Sequence, residues 1–223
     1  MKHLLLSLLA FACAMTAGAQ SLKQWRDSLE VINGKINLHP DSLGLQLEQA
    51  AVNLQLLEWE DAADACGRVL EADHDNLPAL FYRAFANNNL RRYALAKSDY
   101  EHFLSLSPHN MEARLGLAYT YERLGRTQEA SDQLNNLVEM FPDSGVVYAA
   151  RAEFEKGMKQ YDVALYDIDE ALKREPGNRD YIVSKVEMLL LSERKREAKR
   201  VLDDAVRNGV PRGILLEWYA KCK

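Results

Sequence analysis

The sequence has no glycine-rich phosphate loop, no His-Glu-x-x-His and no Cys-x-x-Cys, and its 11 glycines are scattered. Nucleotide chemistry and a motif-built zinc site therefore have no support, and no cofactor is implied. No nucleophile-elbow pattern accompanies its serines. Beyond the first segment, no apolar run is long enough to span a bilayer. A net charge of −5 without a dominating Lys/Arg block excludes the electrostatic footprint of a nucleic-acid binder. Cysteine is sparse, at three residues, so a disulfide framework is excluded as the basis of the fold. What is present is ordinary for a packed domain: 48% of residues are hydrophobic and 27% charged, which excludes a disordered chain.

Residues 1–19 stand apart. Met1-Lys2-His3 gives a positive start, Leu4 to Ala12 a short apolar stretch, and Ala17-Gly18-Ala19 a small-x-small site. These read as a secretory signal peptide cleaved before Gln20, and the periplasm is the expected destination. Ala10-Phe11-Ala12 is a poor lipidation box, which argues against a lipoprotein anchored at Cys13. Membrane association is expected only through such a lipid or through a partner. Cleavage leaves Cys66 and Cys222, near opposite ends of the remaining sequence and too distant to bridge in an extended repeat array. Cys66 falls among core positions.

The dominant signal is a period of 34 residues. Pro108, Pro142 and Pro176 follow one another at that spacing, and Pro40 lies two periods before the first. Ala62, Ala96, Ala130, Ala164 and Ala198 form a second column at the same step. Further columns read Ala50, Ala84, Ala118, Ala152, Val186 and Ile32, Cys66, Tyr100, Leu134, Ile168, Leu202. Small residues are demanded where two helices cross closely, and large apolar ones where gaps between pairs must be filled. Proline stops a helix, because it lacks an N–H and disfavours helix in the residue before it. Capping residues follow each stop, as in Asp41-Ser42, Asp75-Asn76 and Gly177-Asn178. Within a period, Leu117, Ala118, Tyr121 and Leu124, then Ala130, Leu134, Leu137 and Val138, recur at helical spacing, with Gly125 between them. Each period is thus helix–turn–helix.

A 34-residue helix–turn–helix carrying Leu117-Ala118, Tyr121, Gly125, Ala130 and Pro142 resembles the tetratricopeptide repeat. The resemblance covers five units, 43–76, 77–110, 111–144, 145–178 and 179–212. It leaves 20–42 as the helix of a half-repeat and 213–223 as a capping helix. It implies an all-α, right-handed superhelical solenoid whose first helices line a concave groove. The first aromatic of the family pattern is absent from most units, where Gln46, Leu80, Arg114 and Ile182 stand.

The resemblance places Leu47, Phe81, Phe85, Asn88, Asn89, Leu115, Tyr119, Glu122 and Arg123 in the groove. Aromatic anchors beside amides suit an extended peptide or a partner helix. Glu153, Glu155 and Glu187 make the later half acidic, which suits a basic flank on the partner. The groove sites Leu47, Ala51, Phe85 and Glu112 lack the basic set with which some members grip a partner's C-terminal carboxylate. The expectation is a non-enzymatic adaptor with a protein or peptide partner, without metal, cofactor or nucleic acid. The alternative is a structural subunit of an envelope complex that self-associates weakly through its end helices, with Trp218 and Tyr219 at the contact. The basic run Arg194-Lys195-Arg196, with Lys199 and Arg200, reads as a solvated face of the last unit.

Overall fold

A computed structural model describes residues 22–222. The expected signal peptide, Cys13 and the expected cleavage site before Gln20 lie outside those residues. Among the described residues the chain is all helical, with no strand. The helices are α1 (Leu22–Leu38), α2 (Leu43–Gln55), α3 (Trp59–Ala72), α4 (Leu77–Asn89), α5 (Tyr93–Leu106) and α6 (Met111–Arg123). They continue with α7 (Thr127–Met140), α8 (Gly145–Gly157), α9 (Tyr161–Arg174), α10 (Arg179–Leu191) and α11 (Lys195–Arg207). A 3₁₀ turn (Arg212–Leu215) leads into α12 (Leu216–Lys221). The chain divides into two compact units: an N-terminal one through Gln133 and a C-terminal one from Leu134, so that α7 contributes to both.

The first helices α2, α4, α6 and α10 start where a side chain replaces the missing backbone acceptor. Ser42 Oγ accepts from Leu45 N at 3.4 Å, Asn76 Oδ1 from Ala79 N at 3.2 Å, and Asn110 Oδ1 from Ala113 N at 2.7 Å. Asn178 Oδ1 does the same for Tyr181 N at 3.3 Å. Each first helix ends in a Schellman turn. Glu58 N donates to Asn53 O, Arg92 N to Asn87 O, Arg126 N to Tyr121 O, Gln160 N to Glu155 O and Arg194 N to Leu189 O. That turn needs one left-handed residue. Gly125 supplies it at φ 73°, whereas Leu57, Arg91, Lys159 and Glu193 adopt φ of 60–61° despite their side chains.

Packing is successive. In the N-terminal unit α2 lies against α3, α3 against α4, α4 against α5 and α5 against α6; in the C-terminal unit α8, α9, α10 and α11 follow the same order. First helices also touch one another, α2 with α4 and α4 with α6, which makes them the inner row of that unit. The small-residue column from the sequence is fully buried: Ala62, Ala96, Ala130, Ala164 and Ala198 are each 0% exposed. Cys66, Tyr100, Leu134, Ile168 and Leu202 are buried beside it. Gly116 is required at one close approach. A Cβ there would overlap the Tyr100 ring, lying 2.6 Å from its hydroxyl oxygen. Among the described residues no helix is long and apolar enough to cross a membrane.

Candidate functional site

The groove residues expected from the sequence separate by burial. Phe85, Asn88 and Leu115 are buried between helices of the N-terminal unit. Phe85 packs edge-on against Trp59, with centroids 5.8 Å apart, in a cluster with Leu54, Ala62 and Ala86. Asn88 Oδ1 lies 3.0 Å from Thr120 Oγ1, whose single proton is shared between it and the Gly116 carbonyl at 2.7 Å. These three side chains hold the floor rather than meet a ligand. A residue at a groove register becomes buried when the neighbouring first helix packs closely over it.

The accessible part is smaller. Leu47, Phe81, Tyr119 and Glu122 are half-buried, and Asn89 and Arg123 are exposed. Phe81 is fixed by rings on the second helix of its own pair, Tyr100 at 5.9 Å and Phe103 at 6.0 Å. Asn89 Nδ2 donates to its own Phe85 carbonyl at 2.9 Å. Arg123 is held by Tyr93: its guanidinium carbon lies 5.6 Å from that ring's centroid and its Nε donates to the hydroxyl at 3.2 Å. Burial, then the neighbouring Tyr93, raises the Tyr119 hydroxyl above the ordinary tyrosine range, so it is a neutral donor at physiological pH. Phe81, Tyr119 and Arg123 therefore present ring edges, a hydroxyl and a planar cation from positions set by packing.

The C-terminal unit differs from the acidic face expected of it. Lys156 Nζ sits between Glu153 Oε2 at 2.6 Å and Glu187 Oε2 at 2.7 Å, and Ser184 donates to Glu153. One of the two charges of the Glu153–Glu187 pair is thus offset within the unit itself. The Glu153 carboxyl is held below the usual carboxylate range: burial raises it, but the Lys156 and Ser184 hydrogen bonds together outweigh burial. Glu155 lies elsewhere, beside the Arg151–Asp167 ion pair. Burial, then the Asp167 charge, pushes its carboxyl up to about 7, with Arg151 opposing.

Two bidentate ion pairs were not among the sequence candidates. Arg83 gives Nε and Nη2 to Asp99 at 2.9 and 2.7 Å, and Arg151 gives the same atoms to Asp167 at 2.5 and 2.9 Å. Asp99 is 6% exposed and Asp167 0%, so each carboxylate depends on its arginine. The signal was available: both arginines, and both aspartates, stand two periods apart in the same register. Cys66 and Cys222 are free thiols. Burial pushes the Cys66 thiol up to about 12, which leaves it an inert core residue. Among the described residues no group of side chains is arranged to hold a metal ion.

Residues 90–154 match a family model described as Tetratricopeptide repeat. Human peptidyl-prolyl cis-trans isomerase FKBP4 is 32% identical over 84 residues, a segment that covers 38% of this chain and 18% of that protein. Among solved structures, a tetratricopeptide repeat protein from Parabacteroides merdae superimposes with a TM-score of 0.74 at 20% identity, over 90% of this chain and 78% of its own. YrrB, described as a TPR protein with an unusual peptide-binding site, gives 0.56 at 18% identity, over 80% and 92%.

Proposed function

Since the chain carries tetratricopeptide repeats, the fold of a protein-interaction scaffold, we propose that it is a non-enzymatic adaptor that captures a peptide or partner helix on the first-helix face of its N-terminal unit. The observation that carries this reading is the accessible set Phe81, Tyr119 and Arg123, with Phe81 and Arg123 packed against neighbouring rings and the Tyr119 hydroxyl beside Tyr93 before any ligand arrives. Preorganised aromatic and guanidinium groups lose little side-chain entropy on binding. The partner's anchors are apolar or aromatic, and Glu122 and Arg123 flank them with one charge of each sign. The Lys156 bridge removes the need for a strongly basic flank.

The test is affinity capture from the source organism's lysate with the chain and with its Phe81→Ala/Tyr119→Ala variant. Loss of the same eluted protein from the variant, with far-UV circular dichroism unchanged, supports the reading. Equal recovery from both forms rejects it. Export with cleavage before Gln20 belongs to the same proposal. An intact mass of the secreted chain beginning elsewhere contradicts it.

A structural, self-associating role is favoured by one feature. Ile214 and Leu216, beside the half-buried Trp218 and Tyr219, are exposed at the C-terminal turn. Light scattering separates the two readings, because a monomer at working concentration leaves that turn without a second copy.

A further inference from the structure

The second helices α3 and α5 of the N-terminal unit are separated by a cleft of about 540 Å³, closed below by α4. This is within the size range of small-molecule sites. Gly67 leaves the α3 wall of this cleft bare. Nothing lies within 4 Å of the place a Cβ would take there. At the same register the later periods carry Glu101, Asn135 and Asp169, side chains that would fill the space.

Its polar groups are fixed but not exhausted. Arg83 is anchored on Asp99 through Nε and Nη2, Arg92 on Glu60 through Nη2, and Arg68 on Gln49 through Nη2. Among the described residues each guanidinium keeps its Nη1 donors uncommitted. On the α3 wall Asp64 and Glu71 are carboxylates without a cation partner among the described residues. They stand seven residues, or about 10 Å, apart along one helix. With Arg83 held by Asp99 and Arg92 by Glu60, Arg68 stands beside the two carboxylates Asp64 and Glu71. Such a mixture of signs favours neither polyanions nor polycations. It suits a ligand carrying one charge of each sign, one at each end.

We propose that this cleft binds a short peptide with free ends, its carboxylate taken by the arginines and its ammonium by one of the two carboxylates Asp64 and Glu71. Gly67 lets the peptide backbone approach α3, and Ser98 on the opposite wall adds a hydroxyl. The cleft lies on the second-helix side, so the proposal stands apart from the first-helix face and does not depend on it.

The experiment titrates the full chain with trialanine, followed by ¹⁵N-HSQC spectra and calorimetry. Its other arms are N-acetyl-trialanine, trialanine amide and the Gly67→Asn variant, which installs the side chain found at the register position of Asn135. Expected are saturable shifts centred on residues 63–71 and 95–99, at least tenfold weaker binding to G67N, and at least fivefold weaker binding of either blocked peptide. If G67N loses helicity, Arg68→Gln carries the same arm from an exposed position. Absence of saturable binding overturns the proposal, as does equal binding to G67N and R68Q. Equal binding of the N-acetylated peptide overturns the zwitterion and leaves only a carboxylate site.

Discussion

The two units bury the same ion pair in different company, and the difference separates what the repeat requires from what it tolerates. In the N-terminal unit Arg83–Asp99 has Asn87 at the adjoining register, a buried neutral amide. In the C-terminal unit Arg151–Asp167 has Glu155 there, a second carboxyl with one oxygen buried and unpartnered. Arg151 therefore stands against two acids where Arg83 stands against one, and Asn135 Oδ1 accepts a further proton from its Nη1 at 3.1 Å. The first arrangement is neutral over the physiological range. The second has a charge state that depends on pH.

The sharpest way to break the comparison is to remove the arginine from each. Arg151→Ala leaves the fully buried Asp167 facing Glu155, and a loss of about 3–5 kcal/mol is expected from stranding a buried charge. Arg83→Ala strands only Asp99, with an amide nearby and partial access to water, so a loss of about 1–3 kcal/mol is expected. Urea unfolding followed by circular dichroism measures both. Equal losses would show that Glu155 adds nothing to the demand on Arg151.

Close packing gives the next effect. Gly116 meets Tyr100 in the N-terminal unit, and the residues at the same registers one period on are Ala150 and Leu134. Gly116→Ala forces the buried ring aside, at an expected cost of about 2–3 kcal/mol. Tyr100→Leu in the same chain reproduces the later combination and is expected to recover at least half of that loss. A double-mutant cycle on unfolding free energies measures the coupling. Purely additive losses would mean that the glycine answers to something other than the tyrosine.

The Glu155 carboxyl predicts a pH effect confined to one unit. Its folded value, about 7, lies above the ordinary carboxylate value, so the folded state holds a proton that the unfolded chain has already released. Stability from this group is present below the ordinary value and is lost as pH rises from there through about 7. Thermal melts of the native chain should therefore fall from pH 5 to pH 8 relative to Glu155→Gln, which removes the titration. Asn87→Glu should introduce the same slope in the N-terminal unit. Parallel profiles for the native chain and E155Q would show that Glu155 titrates as an exposed acid.

The fold was legible because packing in a stacked array is periodic. A residue that must be small where helices cross must be small at every crossing, and the alanine columns display that constraint in one dimension. The face expected to bind was less legible, because a register position fixes the side of a helix but not how closely the next helix covers it. Phe85, Asn88 and Leu115 share a register with accessible neighbours and are nevertheless buried. The Lys156 bridge joins residues from two periods, Glu153 and Glu187, and pairing across periods is invisible to column-by-column reading. The bare cleft wall at Gly67 reflects a missing side chain in one period only, and a scan for shared positions passes over it.

The smallest expected effect concerns the turns, where glycine and non-glycine residues occupy the same left-handed position in both units. The N-terminal unit has one glycine, Gly125, at the left-handed position of its Schellman turns, with Leu57 and Arg91 at the others; the C-terminal unit has Lys159 and Glu193 after its first helices and Gly209 after α11. A residue with a Cβ at that φ costs about 1–2 kcal/mol over the right-handed alternative. Glycine escapes this cost but gives the unfolded chain more freedom, worth about 0.5–1 kcal/mol. The net expectation for Lys159→Gly is a gain of about 0.5 kcal/mol, or about 1–2 °C in the melting midpoint for a chain of this size. Gly125→Lys should lose a similar amount. Lys159 is exposed and, among the described residues, bonded only through its backbone at the turn, and nothing lies within 4 Å of the place a Cβ would take at Gly125, so neither change disturbs packing. A fall in midpoint for K159G would mean that unfolded-state entropy outweighs left-handed strain, and that the non-glycine turns of both units are as stable as the glycine one.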